Sequence, residues 1–329
     1  MSNPPTASMI SFHSTLQDYV NGGKAFFTMR YLRSQAPRVS ESFRNYSPLP
    51  GEEVEELQWF NYTGSDTHLN GLREFLRPIE KDLVTVLLHG STADGRTTGY
   101  SDVDALVVLR DHVFFRPDRL AKVAYRLSCA KRFMLQYDPL QHHGWFVMTE
   151  RDFTAYPEHV LPLVTLQDAK VLIGETHAVI HTSNTSPDHY RKIALRQTDR
   201  IIALLDKGWR PSNSYQLKSF LSEFMMLPVH YVQAKSGTGC SKRNSFQIAG
   251  SDFSKNAWQV MDQVSEIRLN WSFRPNWLAG YVYRHPAGFF RKLSKRWPAP
   301  ISATIRPVLT REFYSDMLMF ARETRSLLS

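Results

Sequence analysis

The stretch that decides the fold is LLHGSTADGRTTGYSDVDALVVL, residues 87–109. Two apolar runs flank a polar, glycine-containing loop, and Asp102 and Asp104 stand one residue apart where the second run begins. VTVLLHG (84–90) is rich in β-branched residues and ends in glycine, which predicts one strand, and VDALVVLR (103–110) predicts a second. Side chains alternate along a strand, so residues two apart share a face. Asp102 and Asp104 therefore sit together at the start of a strand that continues as a buried apolar run. Two carboxylates there cost free energy unless something neutralises them. A divalent cation does so most economically.

Mg²⁺ suits such a pair, with Mn²⁺ as the other possibility, because these ions take carboxylate oxygens while keeping waters and phosphate oxygens. Gly90 lets a polyphosphate approach the backbone. The hydroxyl of Ser91 and nearby amides can bind its oxygens, and Ser101 belongs to the same group of nucleotide-binding candidates. Metal bound to Asp102 and Asp104 would activate an attacking hydroxyl and neutralise a departing pyrophosphate.

Working outward, helical spacing covers residues 14–34, followed by a turn-rich stretch from Pro37 and a short helix over EEVEELQWF (52–60). Residues 1–10 are polar and are expected to lack structure. LNGLREFLRPIEKDL (69–83) reads as a helix broken or kinked at Pro78. A helix over 118–135 and a third strand over HHGWFVMT (142–149) complete an α/β unit whose sheet is covered on one side. Beyond about residue 175 the pattern is helical, over 188–208, 214–237 with a bend at Pro228, 254–271 and 310–328. The expected organisation is an N-terminal helical extension (1–68), an α/β domain (69–175) and a helical domain (176–329).

The arrangement of 87–109 resembles the signature of the DNA polymerase beta-like nucleotidyltransferase superfamily. That signature is a glycine-serine pair after a strand, a spacer, and two acids separated by one apolar residue at the next strand. The superfamily includes kanamycin nucleotidyltransferase, CCA-adding enzymes, poly(A) polymerases and oligoadenylate synthases, and the resemblance covers residues 70–150. It implies a mixed sheet with flanking helices, two metal ions, and transfer of a nucleoside monophosphate from a nucleoside triphosphate to a hydroxyl acceptor. It also implies a lysine and a serine from the helical domain on the triphosphate. QAKSGTGCSKRNSF (233–246) offers Lys235 and Ser245 for those roles.

One departure stands out. The superfamily supplies a third carboxylate from the next strand, where this chain has His142 and His143. Imidazole suits manganese or zinc better than magnesium, and it can also serve as a general base. His143 is the favoured occupant of the third position, with Asp138 and Glu150 as the flanking acids. An alternative reading follows: a catalytically impaired sensor or assembly module of the same fold that binds a nucleotide or nucleic acid.

The formal charge of +9 points to a polyanionic partner. YRHPAGFFRKLSKRW (283–297) interleaves bases with aromatics, so residues 284–296 are a candidate surface for nucleic acid, a membrane surface or a partner protein. No apolar run approaches the roughly 20 residues that span a bilayer. No secretory signal pattern opens the chain, so the cytoplasm is the expected location. Two cysteines without ligand spacing argue against a disulfide framework or a cysteine zinc site. A nucleophile elbow, a dinucleotide fingerprint and a P-loop are all missing from the sequence. The acceptor is left open between a small molecule, an RNA end, a protein side chain and another nucleotide.

Overall fold

The chain opens with two helices, α1 (Ala7–Asn21) and α2 (Met29–Arg44), in the computed structural model, which describes residues 7–22, 29–158, 160–182, 187–285, 290, 293 and 299–329. Ala7–Ile10, within the polar segment expected to lack structure, are helical, and residues 1–6 lie outside the described residues. The expected turn at Pro37 is also absent, since α2 runs through it. Leu32, Ala36, Val39 and Phe43 recur at helical spacing and are all buried. A proline inside a helix costs about 3 kcal/mol, and burying large apolar side chains at roughly 1.5–3 kcal/mol each outweighs it.

The segment read as a short helix over 52–60 is instead extended, as β1 (Glu53–Gln58) and β2 (Phe60–Asn61). Its glutamates favour helix locally, but β1 pairs antiparallel with β7 (His177–Thr182) along its whole length. That distant partner is invisible in a local window. Asp66 caps α3 (Thr67–Leu76) by accepting from the His68 and Leu69 amides, and Pro78 lies in the 3-10 turn that follows. Then come β3 (Leu83–His89), β4 (Asp104–Leu109), α4 (Pro117–Tyr137), β5 (Phe146–Thr149) and β6 (Lys170–Gly174). The third strand is shorter than the sequence suggests, so His142 and His143 lie on its approach rather than within it.

The main sheet has the order β2-β6-β3-β4-β5. β3 is central and antiparallel to both neighbours, while β4–β5 and β2–β6 are parallel. On β4, Ala105, Val107 and Leu109 face a core shared with α1 to α4, while Leu106 and Val108 face a second core. That second core includes Trp59, Tyr156, Leu166 and Ile180. The sheet is therefore covered on both sides. The β1–β7 ribbon and the 153–169 segment close the face on which no helix packs.

From Pro187 the chain is helical: α5 (Pro187–Asp206), α6 (Ser214–Phe224), α7 (Leu227–Ser236), α8 (Lys242–Ala249), α9 (Lys255–Leu269), α10 (Trp277–Arg284) and α11 (Arg311–Leu328). The break between α6 and α7 precedes Pro228, which starts α7, where its missing N–H costs nothing. The helical core takes in Tyr100 and Leu140 from the α/β part. Most of the basic 284–296 stretch lies outside the described residues. No helix among those described is long and apolar enough to cross a membrane.

The outer edge of β5 is covered by polar side chains of α1. Asn21 Nδ2 donates to the Trp145 carbonyl at 2.7 Å, and its Oδ1 accepts from the Trp145 amide at 2.7 Å. Gln17 donates to the Val147 carbonyl at 3.1 Å. An exposed edge would otherwise present unpaired backbone groups. Gly144 permits the approach, because a Cβ there would collide with the Asn21 amide. Gly144→Ala is expected to cost about 1–3 kcal/mol and to raise amide exchange in α1 before the central strands, as read by hydrogen-exchange mass spectrometry.

Candidate active site

Gly90 takes φ +65°, the left-handed region that favours glycine, at the exit of β3. A Cβ at that position would stand 3.2 Å from Asp104 Oδ2. The backbone at Gly90 and the Asp104 carboxylate thus share one small space. Ser91 is half-buried on the single 3-10 turn that follows, Gly90–Thr92. Thr92 Oγ1 donates to the Asp102 carbonyl at 2.9 Å, which ties the two ends of the loop together. Ser101 Oγ accepts from the Thr98 amide at 2.9 Å, a bond that shapes the loop itself.

One residue before β4 begins, Gln141 stands in for a neighbouring strand. Its Oε1 accepts from the Val103 amide at 2.9 Å and its Nε2 donates to the Val103 carbonyl at 3.0 Å. Nε2 also reaches the His143 carbonyl at 3.2 Å. Val103 lies between the two aspartates, so this buried amide fixes the backbone that carries both acids and ties it to the histidine pair.

Asp102 is buried and flanked on both sides. Its Oδ1 contacts the ammonium of Lys218 from α6, and its Oδ2 lies 2.7 Å from His142 Nδ1. Lys218 is fully buried and also donates to Asp138 Oδ2 at 2.6 Å. Burial pushes the Asp102 carboxyl up, yet His142 and Lys218 together hold it well below the usual carboxylate range. Asp138 goes the other way, raised by burial and by Asp102 against the pull of Lys218. The charge of Lys218 is thus matched chiefly by Asp102.

The two histidines meet at this carboxylate. Their ring centroids are 3.8 Å apart, and ligand atoms of Asp102, His142 and His143 all lie within 4.8 Å of one another. Both ring nitrogens of His142 are buried, and neither makes a hydrogen bond among the described residues. Burial, together with the neighbouring His142, lowers the His143 pKa against the opposing charges of Asp104 and Asp102. This donor set fits a divalent cation: one carboxylate and two imidazoles with ligand atoms close together. The other acids considered for the third position are placed differently. Asp138 is taken by Lys218. Glu150 lies past the far end of β5, where it accepts from Arg110 at 3.2 Å and from the Asp111 amide at 3.2 Å. Six residues along parallel strands separate it from Asp104, roughly 20 Å.

The helical region contributes cations, though by different residues than the sequence suggests. Lys235 pairs with Asp252 at 2.7 Å on the helical side. Ser245 is buried and donates to the Lys242 carbonyl within α8 at 2.7 Å. Lys242, at the first position of α8, is the residue that feels the site. Loss of solvent and the nearby Arg268 lower its pKa to about 8, while Asp104 and Asp102 pull it back up. Tyr100 joins the two regions. It donates to the Lys218 carbonyl at 2.6 Å and packs edge-on against Trp271 at 5.0 Å. Lys218 and Arg268 lie 5.2 and 5.1 Å from its ring centroid.

Sequence reasoning thus missed Gln141, Lys218 and Lys242 and passed over His142 in favour of its neighbour. Lys218 did leave a signal: it occupies an apolar-face position in α6, three residues before Leu221 and seven before Met225, both buried. A lysine in that stripe needs a buried anion.

With this geometry in place, comparison with known families is informative. The sequence model of the nucleotidyltransferase domain matches residues 69–138, from α3 to the end of α4. That segment is similar to a nucleotidyltransferase domain; it contributes to a mixed sheet with flanking helices and is followed here by further helices. No curated protein and no solved structure gives a match to this chain.

Replacing Lys218 with methionine strands two buried carboxylates, and a loss of about 3–5 kcal/mol in denaturant unfolding is expected. Adding Asp138→Asn to that variant should recover part of the loss.

Proposed function

We propose that the chain is a metal-dependent nucleotidyltransferase, moving a nucleoside monophosphate from a nucleoside triphosphate to a hydroxyl acceptor. The observation that carries this reading is the meeting of three features at one point. These are the Gly90–Ser91 turn, the Asp102 and Asp104 pair with its adjacent histidines, and cations delivered from the helical region. A bound divalent ion, Mg²⁺ or Mn²⁺, would lower the pKa of the acceptor hydroxyl and screen the triphosphate. The residues available to hold it are Asp102, Asp104 and His142, which leaves His143 free to act as a base. Gly90 and Ser91 receive the phosphate oxygens, and Lys242 stands across from the aspartates as the phosphate-facing lysine. Lys235 and Ser245 are committed to partners within the helical region and support that region rather than the triphosphate.

In-line displacement puts nucleophile and leaving group on opposite sides of phosphorus. The charges around the site are divided in the same sense. Lys242 and Arg268 stand on the helical side, which favours the departing pyrophosphate. On the α1 side a cavity of about 460 Å³ is lined by residues such as Ser14, Gln17, His142, His143 and Phe146, with no Asp, Glu, Lys or Arg among its lining residues. An uncharged, hydroxyl-bearing acceptor fits that wall better than a polycation or a phosphate-rich strand. The acceptor O–H attacks the α-phosphorus, its oxygen bonds to phosphorus, and the bond to pyrophosphate breaks. The proton passes to a base at the site, for which His143 is the exposed candidate. Such chemistry draws on cytoplasmic nucleotides.

A sensor that binds nucleotide or nucleic acid without turnover is the second reading. The Lys218 ammonium already paired with Asp102 favours it. Labelled nucleoside triphosphates incubated with the protein, Mg²⁺ or Mn²⁺ and cell extract separate the two. Transfer of label with pyrophosphate release is expected, falling about 10²-fold or more in Asp104→Asn. Transfer that survives both Asp102→Ala and Asp104→Ala would sink the catalytic reading, and tight nucleotide binding without turnover would establish the sensor.

A further inference from the structure

The Gly90 turn has a cavity on each side. The sheet order places β3 between β6 and β4, and at the end of β3 Lys170 pairs with Leu88 while Asp104 pairs with His89. Two strand spacings separate these flanking residues, about 10 Å. The neutral cavity of about 460 Å³ lies on the β5 side. On the β6 side is a second cavity of about 600 Å³, bounded by β2, the start of α3, the 92–97 loop and the end of α4. Thr92 and Ala93, where the Gly90 turn ends, line this second cavity, whereas among the described residues none of that turn lines the first. Its walls are aromatic and hydroxylated. Phe60 is 72% exposed on the outermost strand, with Lys170 Nζ 5.1 Å from its ring centroid. Tyr62 and Tyr137 add two half-buried rings. Burial raises the Tyr137 pKa; Thr97 opposes and Asp66 reinforces that shift, so the loop and the facing segment meet at its hydroxyl. Asp66 itself caps α3, accepting from the His68 and Leu69 amides at 2.9 Å each, so its charge is already engaged.

We propose that this second cavity is the subsite for the base of the nucleoside triphosphate, with Phe60 as its stacking surface and Tyr137 and Thr97 as hydrogen-bonding groups at its edge. Every nucleobase has a π-face that stacks on an aromatic side chain. A large ring left mostly exposed on an edge strand is otherwise a liability. The volume falls in the range of cavities that enclose small molecules, about 300–1,000 Å³, and takes a purine with its ribose. Contact with the Gly90 turn assigns the cavity to the nucleotide rather than to the acceptor. Phosphates received at Gly90 and Ser91 leave the nucleoside to one side, and the span across β3 is that of a nucleoside from its α-phosphate to the outer edge of its base. The acceptor keeps the neutral cavity, and the two substrates reach the reacting phosphorus from opposite sides of β3. The assignment rests on the transferase reading for the position of the phosphates, but it concerns where the base binds and is judged without turnover.

The test uses the full chain with Mg²⁺ and compares the four common nucleoside triphosphates with inorganic tripolyphosphate by calorimetry. The preferred nucleotide is expected to bind at least about tenfold more tightly than tripolyphosphate, the difference being the base and ribose. Phe60→Ala should weaken that nucleotide by about 5–100-fold and leave tripolyphosphate unchanged, with Phe60→Trp restoring nucleotide binding. Asp104→Asn should weaken both ligands alike. In the unaltered protein, irradiation with a base-azido derivative of the preferred nucleotide should label the peptide around Phe60 or that around Tyr137. Equal affinity for nucleotide and tripolyphosphate, or labelling confined to the helical region, overturns the proposal, and neither outcome depends on a variant folding. Nucleotide binding that needs Phe60 in a protein that transfers no label keeps this subsite and removes the transferase. Label transfer with a KM for the nucleotide unmoved by Phe60→Ala removes the subsite and leaves the transferase standing.

Discussion

The buried ammonium of Lys218 is the interaction on which the rest of the site depends. A charged group in the interior is tolerated only with its counter-charge in contact, and Lys218 has two candidates, Asp102 and Asp138. Asp102 lies two residues before β4, Asp138 caps the end of α4, and Lys218 comes from α6. One cation therefore fastens the helical region to the α/β sheet at the point where chemistry is expected. Tyr100 repeats the connection a short distance away by bonding to the Lys218 carbonyl. The loop carrying the glycine turn is in this sense a joint between the two regions.

A second constraint is the treatment of β5 and its approach. Gln141 satisfies both backbone groups of Val103, extending the β4 ladder by one residue without a strand to pair with. Asn21 and Gln17 do the corresponding work on the outer edge. Between these two amide clamps the chain presents His142, His143 and Gly144. The N-terminal helices are thus part of the site's construction: α1 supplies one wall of the neutral cavity and holds the strand from which the histidines are approached.

Much of this was legible in the sequence. The central strands β3 and β4, the glycine turn between them and the adjacency of Asp102 and Asp104 follow from local periodicity, which needs only a short window. The long helices α4, α5, α9 and α11 follow for the same reason. The failures share a cause as well. Glu53–Gln58 carries helix-forming glutamates but is held extended by β7, more than a hundred residues away. Pro37 reads as a stop, but the buried stripe of α2 overrides it. Lys235 and Lys242 are equally plausible in a basic loop, and only the position of α8 brings Lys242 to the aspartates while Lys235 turns to Asp252.

The sequence by itself determined where the glycine turn and the two acids fall, because a turn followed by two acids at strand spacing is a local pattern enforced by backbone geometry. Tertiary structure alone decided how those acids are used. Whether Asp102 is free to bind a cation or is committed to one already inside the protein depends on Lys218, more than a hundred residues further on. Electrostatic partnership acts through space at a few ångströms and leaves no period in the chain, so the position of the two acids could be read while their partners had to be seen.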